Sequence, residues 1–470
     1  MKNLTVVIVG ASGDLARRKI YHALFSLYCQ GYLPEDVRIV GYARTAYEND
    51  AFREIIIQKL TCRYTPDHSC AKKMEDFLAQ CTYHAGQYRE VDDFLSLKNE
   101  LLLEPSSGSM NIMVYFAIPS FIFGETARAF GLANFDEVAG EEGWIRAVME
   151  KPFGRDRETF DVLIEDLEPY FNEQQMYRID HYLGKEVIQN LMVLRFANLI
   201  FEPIWNRNYI ERVEVSWFET LGVEGRGSYF DQYGIIRDVM QNHLLQIVAL
   251  IGMENPLAVP QTVRNEKVKL LQAIEPVKLE DCVLGQYDSG QTHPSYREDE
   301  TVPNDSRTVT YAECLLRVNN YRWSGVPFVL RAGKGCETSM TKIHIKFKPV
   351  PSDPFEKMGH TLSANELVIE VQPDEQIVLR VQNKRPGLPW EIVESELNMS
   401  YHSSFDEEVI PDAYESLLLD VLRGQRTLFL RKDELEAAWD IFSPLLHEID
   451  EKAIEPEPYP FGSHGVKKRF

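Results

Sequence analysis

Residues 178–186 read Arg-Ile-Asp-His-Tyr-Leu-Gly-Lys-Glu, which sets the carboxylate of Asp180, the imidazole of His181, the phenol of Tyr182 and the ammonium of Lys185 almost side by side. Apolar residues then recur at 187, 188, 191, 192, 194 and 196, a spacing that predicts a helix opened by Gly184. The N-terminus of a helix offers unpaired N–H groups and the positive end of its dipole, so an anion is favoured there. A phosphate held by His181, Tyr182 and Lys185 is the economical reading; a surface loop of mixed polar residues is the plain alternative.

A second run, DQYGIIRDVMQNHLLQIVALIG (231–252), reads as a helix whose apolar character is broken by Gln241, Asn242 and His243. A polar break inside an apolar helix points to a site. Asp238 and His243 stand five apart, off a single α-helical stripe, although both can face one end of a cleft. A helical histidine is ordinarily structural, and it becomes a base only where the fold brings an acidic partner such as Asp180 against it. Three strand ends carry further candidates. AVMEKPFG (147–154) puts Glu150 and Lys151 at a carboxyl edge, where open α/β sheets bind ligands. VEVSWFETLGVEGRGSYF (213–230) ends a strand at Glu219, suited to sugar hydroxyls or to capping. VPFVLRAGKG (326–335) ends in Arg331, Lys334 and two glycines.

These groups need a scaffold, and the chain supplies two kinds. Strand patterns at 4–9, 37–41, 82–86, 111–116 and 145–149 alternate with helical patterns at about 14–30, 48–61, 71–80, 91–103 and 120–131. Such alternation predicts a doubly wound α/β sheet over residues 1–176. From 177 to 470 the pattern becomes α+β. It has helices at about 229–252, 411–423 and 432–447, and strands at 210–219, 309–318, 326–332, 342–348, 366–371, 377–382 and 392–399, expected to form a large, mainly antiparallel sheet. Residues 286–306 read as an exposed, turn-rich loop.

LTVVIVGASGDLARRKI (4–20) is a strand, a tight turn and a helix start. Gly10 allows the turn, Gly13 allows close approach of backbone to a pyrophosphate, and Ala16 allows close helix–strand packing. The spacing is G-x-x-G-x-x-A, a Rossmann-like variant, and Asp14 competes with phosphate for the same dipole. The next strand, VRIVGYAR, ends in Arg44 and Thr45 where an NAD site would carry an acid on the ribose 2′-hydroxyl. A cation there suits a 2′-phosphate, which favours NADP. VYFAIP (114–119) is expected to wall the crevice.

Bulk properties bound the rest. The 470 residues are 44% hydrophobic and 26% charged, as in ordinary globular proteins, with a formal net charge of −22. That charge argues against nucleic-acid and anionic-membrane partners and requires any phosphate to be held by a local cluster of cations. Cysteines at 29, 62, 70, 81, 282, 314 and 336 show no C-x-x-C spacing, so reduced cytosolic thiols are expected. No apolar run reaches the length of a membrane span, and the run 4–9 is too short for a signal peptide. A cytoplasmic location is the expectation.

Taken together, GASGDLARRKI, VGYAR, YFAIP, EKPFG, RIDHYLGKE, FEPIWNRNYI, EGRGSYFDQYGIIRDVMQNHLLQ, VPFVLRAGK and QPDE (372–375) resemble the glucose-6-phosphate dehydrogenases along most of the chain. The resemblance implies oxidation of glucose 6-phosphate at C1 to 6-phosphogluconolactone with NADP. It implies His243 as general base and Asp180 as its orienting carboxylate. It puts His181, Tyr182 and Lys185 on the substrate phosphate, and Lys19, Lys151, Glu219, Asp238, Lys334 and Gln372 around the sugar. It assigns Gly10, Ser12, Gly13, Asp14, Leu15, Arg44, Tyr115 and Lys151 to NADP. The chemistry agrees with those roles. A free imidazole titrates near ~6.5 and is able to accept the hydroxyl proton, and general-base help is worth about 10²–10⁴-fold. The remote phosphate orients the sugar, and nothing in the reaction calls for a metal.

Two departures stand out: His22 replaces a usual Pro, and Ser339 and Met340 stand where animal members are basic, which argues for one NADP per subunit. A homodimer or homotetramer is implied by the family's β-rich half. Two rivals remain: an NAD-dependent oxidoreductase of an unphosphorylated sugar, which has no use for the His181–Tyr182–Lys185 set, and a non-catalytic NADP sensor, which has none for His243 and Asp180.

Overall fold

The computed structural model describes all residues except 1–2, 65–68, 104–108, 259–261, 292, 357–358, 360 and 407. Its contacts divide the chain into two units. The first contains Met1–Gly184, Ala258–Gln261 and Val409–Leu435; the second contains Lys185–Leu257, Thr262–Glu408 and Glu436–Phe470.

The first unit is built on β1 (Leu4–Val9), β2 (Arg38–Ala43), β3 (Cys81–Ala85), β4 (Asn111–Phe116), β5 (Trp144–Glu150) and β6 (Met176–Ile179). They lie in the order β3-β2-β1-β4-β5-β6, all parallel. This is the doubly wound arrangement expected, with its order reversing between β1 and β4. Val6–Val9 of β1 and Ile112–Phe116 of β4 are wholly enclosed, as continuous apolar strands covered on both faces should be. Helices Tyr21–Cys29, Asn49–Ile57, Ser69–Ala79, Val91–Leu103 and Phe123–Leu132 stand near their predicted places. β6 and the helix Arg157–Leu167 were not expected. β6 is only four residues long and holds Arg178 buried, so no apolar pattern marks it.

The second unit carries β7 (Ile210–Phe218), β8 (Cys282–Asp288), β9 (Tyr311–Arg317), β10 (Pro327–Gly333), β11 (Met340–Phe347), β12 (Glu366–Gln372), β13 (Gln376–Lys384) and β14 (Ile392–Ser400). A short β15 (Phe429–Leu430) belongs to the first unit, where it pairs antiparallel with β6. β16 (Glu457–Pro460) completes the second sheet, whose order is β14-β13-β12-β11-β7-β10-β9-β8-β16. Pairing is antiparallel except for β10 with β7 and β16 with β8, so the large, mainly antiparallel sheet is present. On β11 every second residue is buried, the alternation of a sheet covered on one face.

Two expectations require correction. Residues 286–306 are not simply an exposed loop, because β8 runs to Asp288 and Tyr296 is fully buried with its hydroxyl donated to Asp231. The thiols are not all reduced either: Cys62 and Cys70 form a disulfide, with Cα atoms 6.1 Å apart. That separation is ordinary for a bridge, but a spacing of eight falls outside the C-x-x-C patterns on which the expectation rested. Cys29, Cys81, Cys282, Cys314 and Cys336 are buried and outside any disulfide. Among the described residues no helix is long and apolar enough to cross a membrane.

Candidate active site

In the first unit the predicted residues gather at the carboxyl ends of the parallel strands. Gly10 follows β1 with φ +91°, and a Cβ there would lie 2.3 Å from the Ala117 carbonyl oxygen. Only glycine satisfies both constraints. Its N–H bonds the Tyr42 carbonyl, and the Gly13 N–H bonds the Gly10 carbonyl, closing the turn. The VYFAIP segment therefore walls the turn at the strand-order reversal, where α/β sheets bind ligands. Ala16–Ile20 winds as a π-helix before the α-helix begins. Asp14 faces solvent and pairs with Arg18 at 2.7 Å, so its charge is already engaged. Arg44 is exposed at the end of β2, its guanidinium 5.5 Å from the Tyr88 ring centre. Ser12 hydrogen-bonds Tyr83, and Leu15 is half-buried. These features fit a dinucleotide carrying a 2′-phosphate. Tyr115 differs from expectation in one respect: it is fully buried and donates its hydroxyl to Glu150 at 2.5 Å.

Glu150, at the end of β5, is the most perturbed acid here. Burial pushes its carboxyl up to about 7, against the lowering effects of hydrogen bonds from Tyr115 and Tyr414 and the charge of Lys151; Asp180 adds to the rise. Asp180 follows β6, is 1% exposed, and accepts the Tyr182 N–H through Oδ1 at 3.0 Å. Its carbonyl accepts the Leu183 N–H, winding His181–Gly184 into a 3₁₀ turn. The turn lies against the helix Ala413–Arg423, so closely that a Cβ on Gly184 would sit 2.5 Å from the Ala413 carbonyl. His181 lies nearly parallel to the Tyr414 ring at 6.2 Å. Lys19 reaches Asp412, which caps that helix, at 3.2 Å.

In the second unit Lys185 is the N-cap of the helix Glu186–Phe196, one residue beyond the predicted start. Its ammonium donates to Gln372 Oε1 at 2.8 Å, joining two residues predicted for one ligand across 187 positions. Lys334, just past β10, pairs with Glu219, just past β7, at 2.7 Å, and lies 5.5 Å from the Trp217 ring centre. The parallel pairing of β10 with β7 explains why both strand ends meet.

The predicted helix over 229–252 is three pieces. Gly227–Ile235 ends at Gly234 (φ +65°), Ile236–Leu244 is a π-helix, and Leu245–Gly252 is α-helical. This corrects the placement of Asp238 and His243 off one stripe. In a π-helix the hydrogen bonds run from i to i+5, so residues five apart are backbone neighbours. His243 is 4% exposed; its N–H donates to Asn242 Oδ1, and the Asn242 amide donates to the Arg237 carbonyl. The polar break of Gln241–His243 is the sequence trace of this widened turn.

The sequence reading gave no role to Tyr414 or Asp412, because their neighbours lie more than two hundred residues earlier. The acidity of Glu150 was equally hidden, since its enclosing rings come from β4 and from the helix Ala413–Arg423.

The sequence profile of the glucose-6-phosphate dehydrogenase NAD-binding domain matches residues 7–190, and that of the C-terminal domain matches residues 192–469. The chain is 49% identical over 470 residues to chloroplastic glucose-6-phosphate 1-dehydrogenase 1 of Arabidopsis thaliana, covering 98% of this chain and 81% of the relative. It is 43% identical to a cytoplasmic glucose-6-phosphate 1-dehydrogenase of the same plant, covering 98% and 89%. A solved glucose-6-phosphate dehydrogenase in complex with glucose 6-phosphate superposes with a TM-score of 0.92 at 40% identity, over 99% of this chain and 96% of that one. Fold, domain profiles and relatives converge: the chain belongs to the glucose-6-phosphate dehydrogenase family.

Proposed function

We propose that this chain oxidises glucose 6-phosphate at C1 to 6-phosphogluconolactone, with NADP as oxidant. The observation that carries the reading is the RIDHYLGKE run, which folds into a fixed 3₁₀ turn followed by a helix capped at Lys185. In this reading His243 accepts the proton of the C1 hydroxyl. Asp180 orients the ring and stabilises the imidazolium that forms. His181, Tyr182 and Lys185 hold the phosphate, and Gln372, which already accepts from Lys185, fixes the direction of that ammonium. Glu219, Lys334, Asp238, Lys151 and Lys19 bind sugar hydroxyls. The turn Gly10–Gly13 with Leu15, Tyr115 and Lys151 seats the coenzyme, and Arg44 binds its 2′-phosphate. NADP, when bound, supplies the hydride acceptor. The division of labour follows: binding energy from the distant phosphate positions C1, and the base acts only on the reacting oxygen.

A cytoplasmic enzyme that assembles as a homodimer or homotetramer completes the proposal. The exposed Leu397 and Met399 on edge strand β14 support assembly, because natural proteins seldom leave an apolar edge strand bare.

Steady-state assays with glucose 6-phosphate and glucose, each with NADP and NAD, test the reading. Turnover is expected with glucose 6-phosphate and NADP, and His243→Asn should lower kcat by about 10²–10⁴-fold with substrate binding nearly intact. Equal use of glucose would remove the phosphate assignment, and normal turnover in His243→Asn would remove the base.

A further inference from the structure

The first unit has a second cationic feature, which the reaction does not use. At the opposite end of the sheet, a cavity of about 430 Å³ opens between the amino ends of β5 and β6 and the segment around Gly424. β5 has seven residues, so at ~3.3 Å per residue this cavity is about 20 Å from the carboxyl edge that holds Glu150. Its lining includes Arg146, Arg426, Asn172, Gln174, Gln175 and Tyr177.

The two guanidiniums are rigidly held and incompletely used. Arg146 lies 3.8 Å from the Trp144 ring centre and donates to the Val421 and Leu422 carbonyls through Nη1 alone. Among the described residues no carboxylate lies within ion-pair reach of it. Arg426 lies 5.5 Å from the Tyr177 ring centre and donates to the Glu173 and Met176 carbonyls through Nη2 alone, while its Nε is buried without a hydrogen-bond partner. Among the described residues its one ion-pair contact, at 4.0 Å, is with Glu173, which Arg178 engages more closely at 2.9 Å. Burial lowers the pKa of Arg146 and, with Tyr177 opposing, so does the proximity of Arg426. Two partly desolvated cations on one cavity are costly in a chain of net charge −22, where carboxylates are abundant. Two planar donors on one cavity suit a phosphate, and they outnumber the one carboxylate of the lining, Asp136.

We propose that this cavity is a binding site for a small phosphate-bearing anion, held between Arg146 and Arg426 with the Asn172, Gln174 and Gln175 amides at its rim. Each arginine contributes donors its backbone contacts leave over. The site is separate from the substrate and coenzyme residues, so occupancy is independent of turnover chemistry.

Equilibrium dialysis of labelled inorganic phosphate, and of adenosine 5′-monophosphate as a phosphate-ester probe, tests this on the full chain carrying Lys185→Ala and Arg44→Ala. Those two changes remove the lysine and the arginine assigned to phosphate elsewhere. Saturable binding is expected, and Arg426→Gln should abolish it. Because Arg426 also braces backbone, Gln174→Glu is the cleaner variant: Gln174 is exposed, and the change adds a negative charge at the rim. It should weaken binding by roughly five- to tenfold without changing activity in the otherwise unaltered chain. Equal affinities for the two probes would assign the site to the free dianion, and tighter nucleotide binding would assign it to an ester. Affinities unmoved by Gln174→Glu, or no saturable binding up to roughly 10 mM, would overturn the proposal.

Discussion

Arg331 and Glu150 are both ionisable side chains at sheet positions that water scarcely reaches, and their surroundings could hardly differ more. Arg331, on β10, is 1% exposed and meets Glu214 of β7, Glu313 of β9 and the Phe470 carbonyl. Burial works against its charge, but the hydrogen bond it donates to Glu313 and the charges of both carboxylates win, and its pKa is raised. Burial likewise disfavours ionised Glu214, yet Arg331 holds that carboxyl below its ordinary range. Every charge in this cluster is fixed. Glu150 instead is enclosed by two phenols with one lysine nearby, and its carboxyl stands near neutrality. Compensated burial makes a brace, and uncompensated burial makes a group that titrates where the enzyme works.

Breaking the brace should give the largest stability effect. Arg331→Met leaves buried Glu313 without its ion-pair partner and Glu214 with Arg212 alone, and should cost about 3–5 kcal/mol, measured by denaturant unfolding. A triple change that also makes Glu214 and Glu313 apolar should recover most of that loss. Failure to recover would show that packing, not charge, is at stake.

Lys185→Ala removes from the proposed phosphate site the cation that donates to Gln372. It should raise KM for glucose 6-phosphate by about 10²-fold with a much smaller change in kcat. An unchanged KM would move Lys185 to the bracing class.

Glu150 predicts a pH dependence. Its folded pKa is raised, so between its unfolded value near ~4.3 and about 7 the folded chain keeps a proton that the unfolded chain has lost. The stability it contributes is complete below that window and is lost as pH rises through 7. Glu150→Gln should therefore unfold like the parent near pH 4 but be more stable by roughly 4 kcal/mol at pH 8. A constant difference across that range would mean that Glu150 is ionised throughout.

The smallest effect is expected at the most exposed charge. Arg44→Ala should weaken NADP by about tenfold and leave NAD nearly unchanged, as read by coenzyme titration. Equal losses would contradict a 2′-phosphate contact.

The same contrast explains what the sequence disclosed. β1 and β4 were legible because strands covered on both faces are continuously apolar, and the Gly10 turn because one residue type satisfies its φ and its contact with Ala117. The pairings Lys185–Gln372 and Lys334–Glu219 were legible only as separate motifs, since a helix start meeting the end of β12 and the register of β10 on β7 bring them together. The π-helical turn hid behind a template of 3.6 residues, although Gln241–His243 betrayed its position. β6 and β15 were invisible, being four and two residues long. The Cys62–Cys70 bridge lay outside known spacing patterns. The environment of Glu150 was unreadable, because Tyr414 belongs to a segment that joins the first unit from far along the chain.

That late segment has a consequence for biosynthesis. Val409–Leu435 supplies both the antiparallel neighbour of β6 and the helix under the His181–Gly184 turn. A growing polypeptide therefore cannot finish its amino-terminal half until more than four hundred residues have left the ribosome. Until then the flank of β6 and the seat of Tyr414 stay bare, and a nascent chain stalled earlier offers that strand to chaperones or to aggregation.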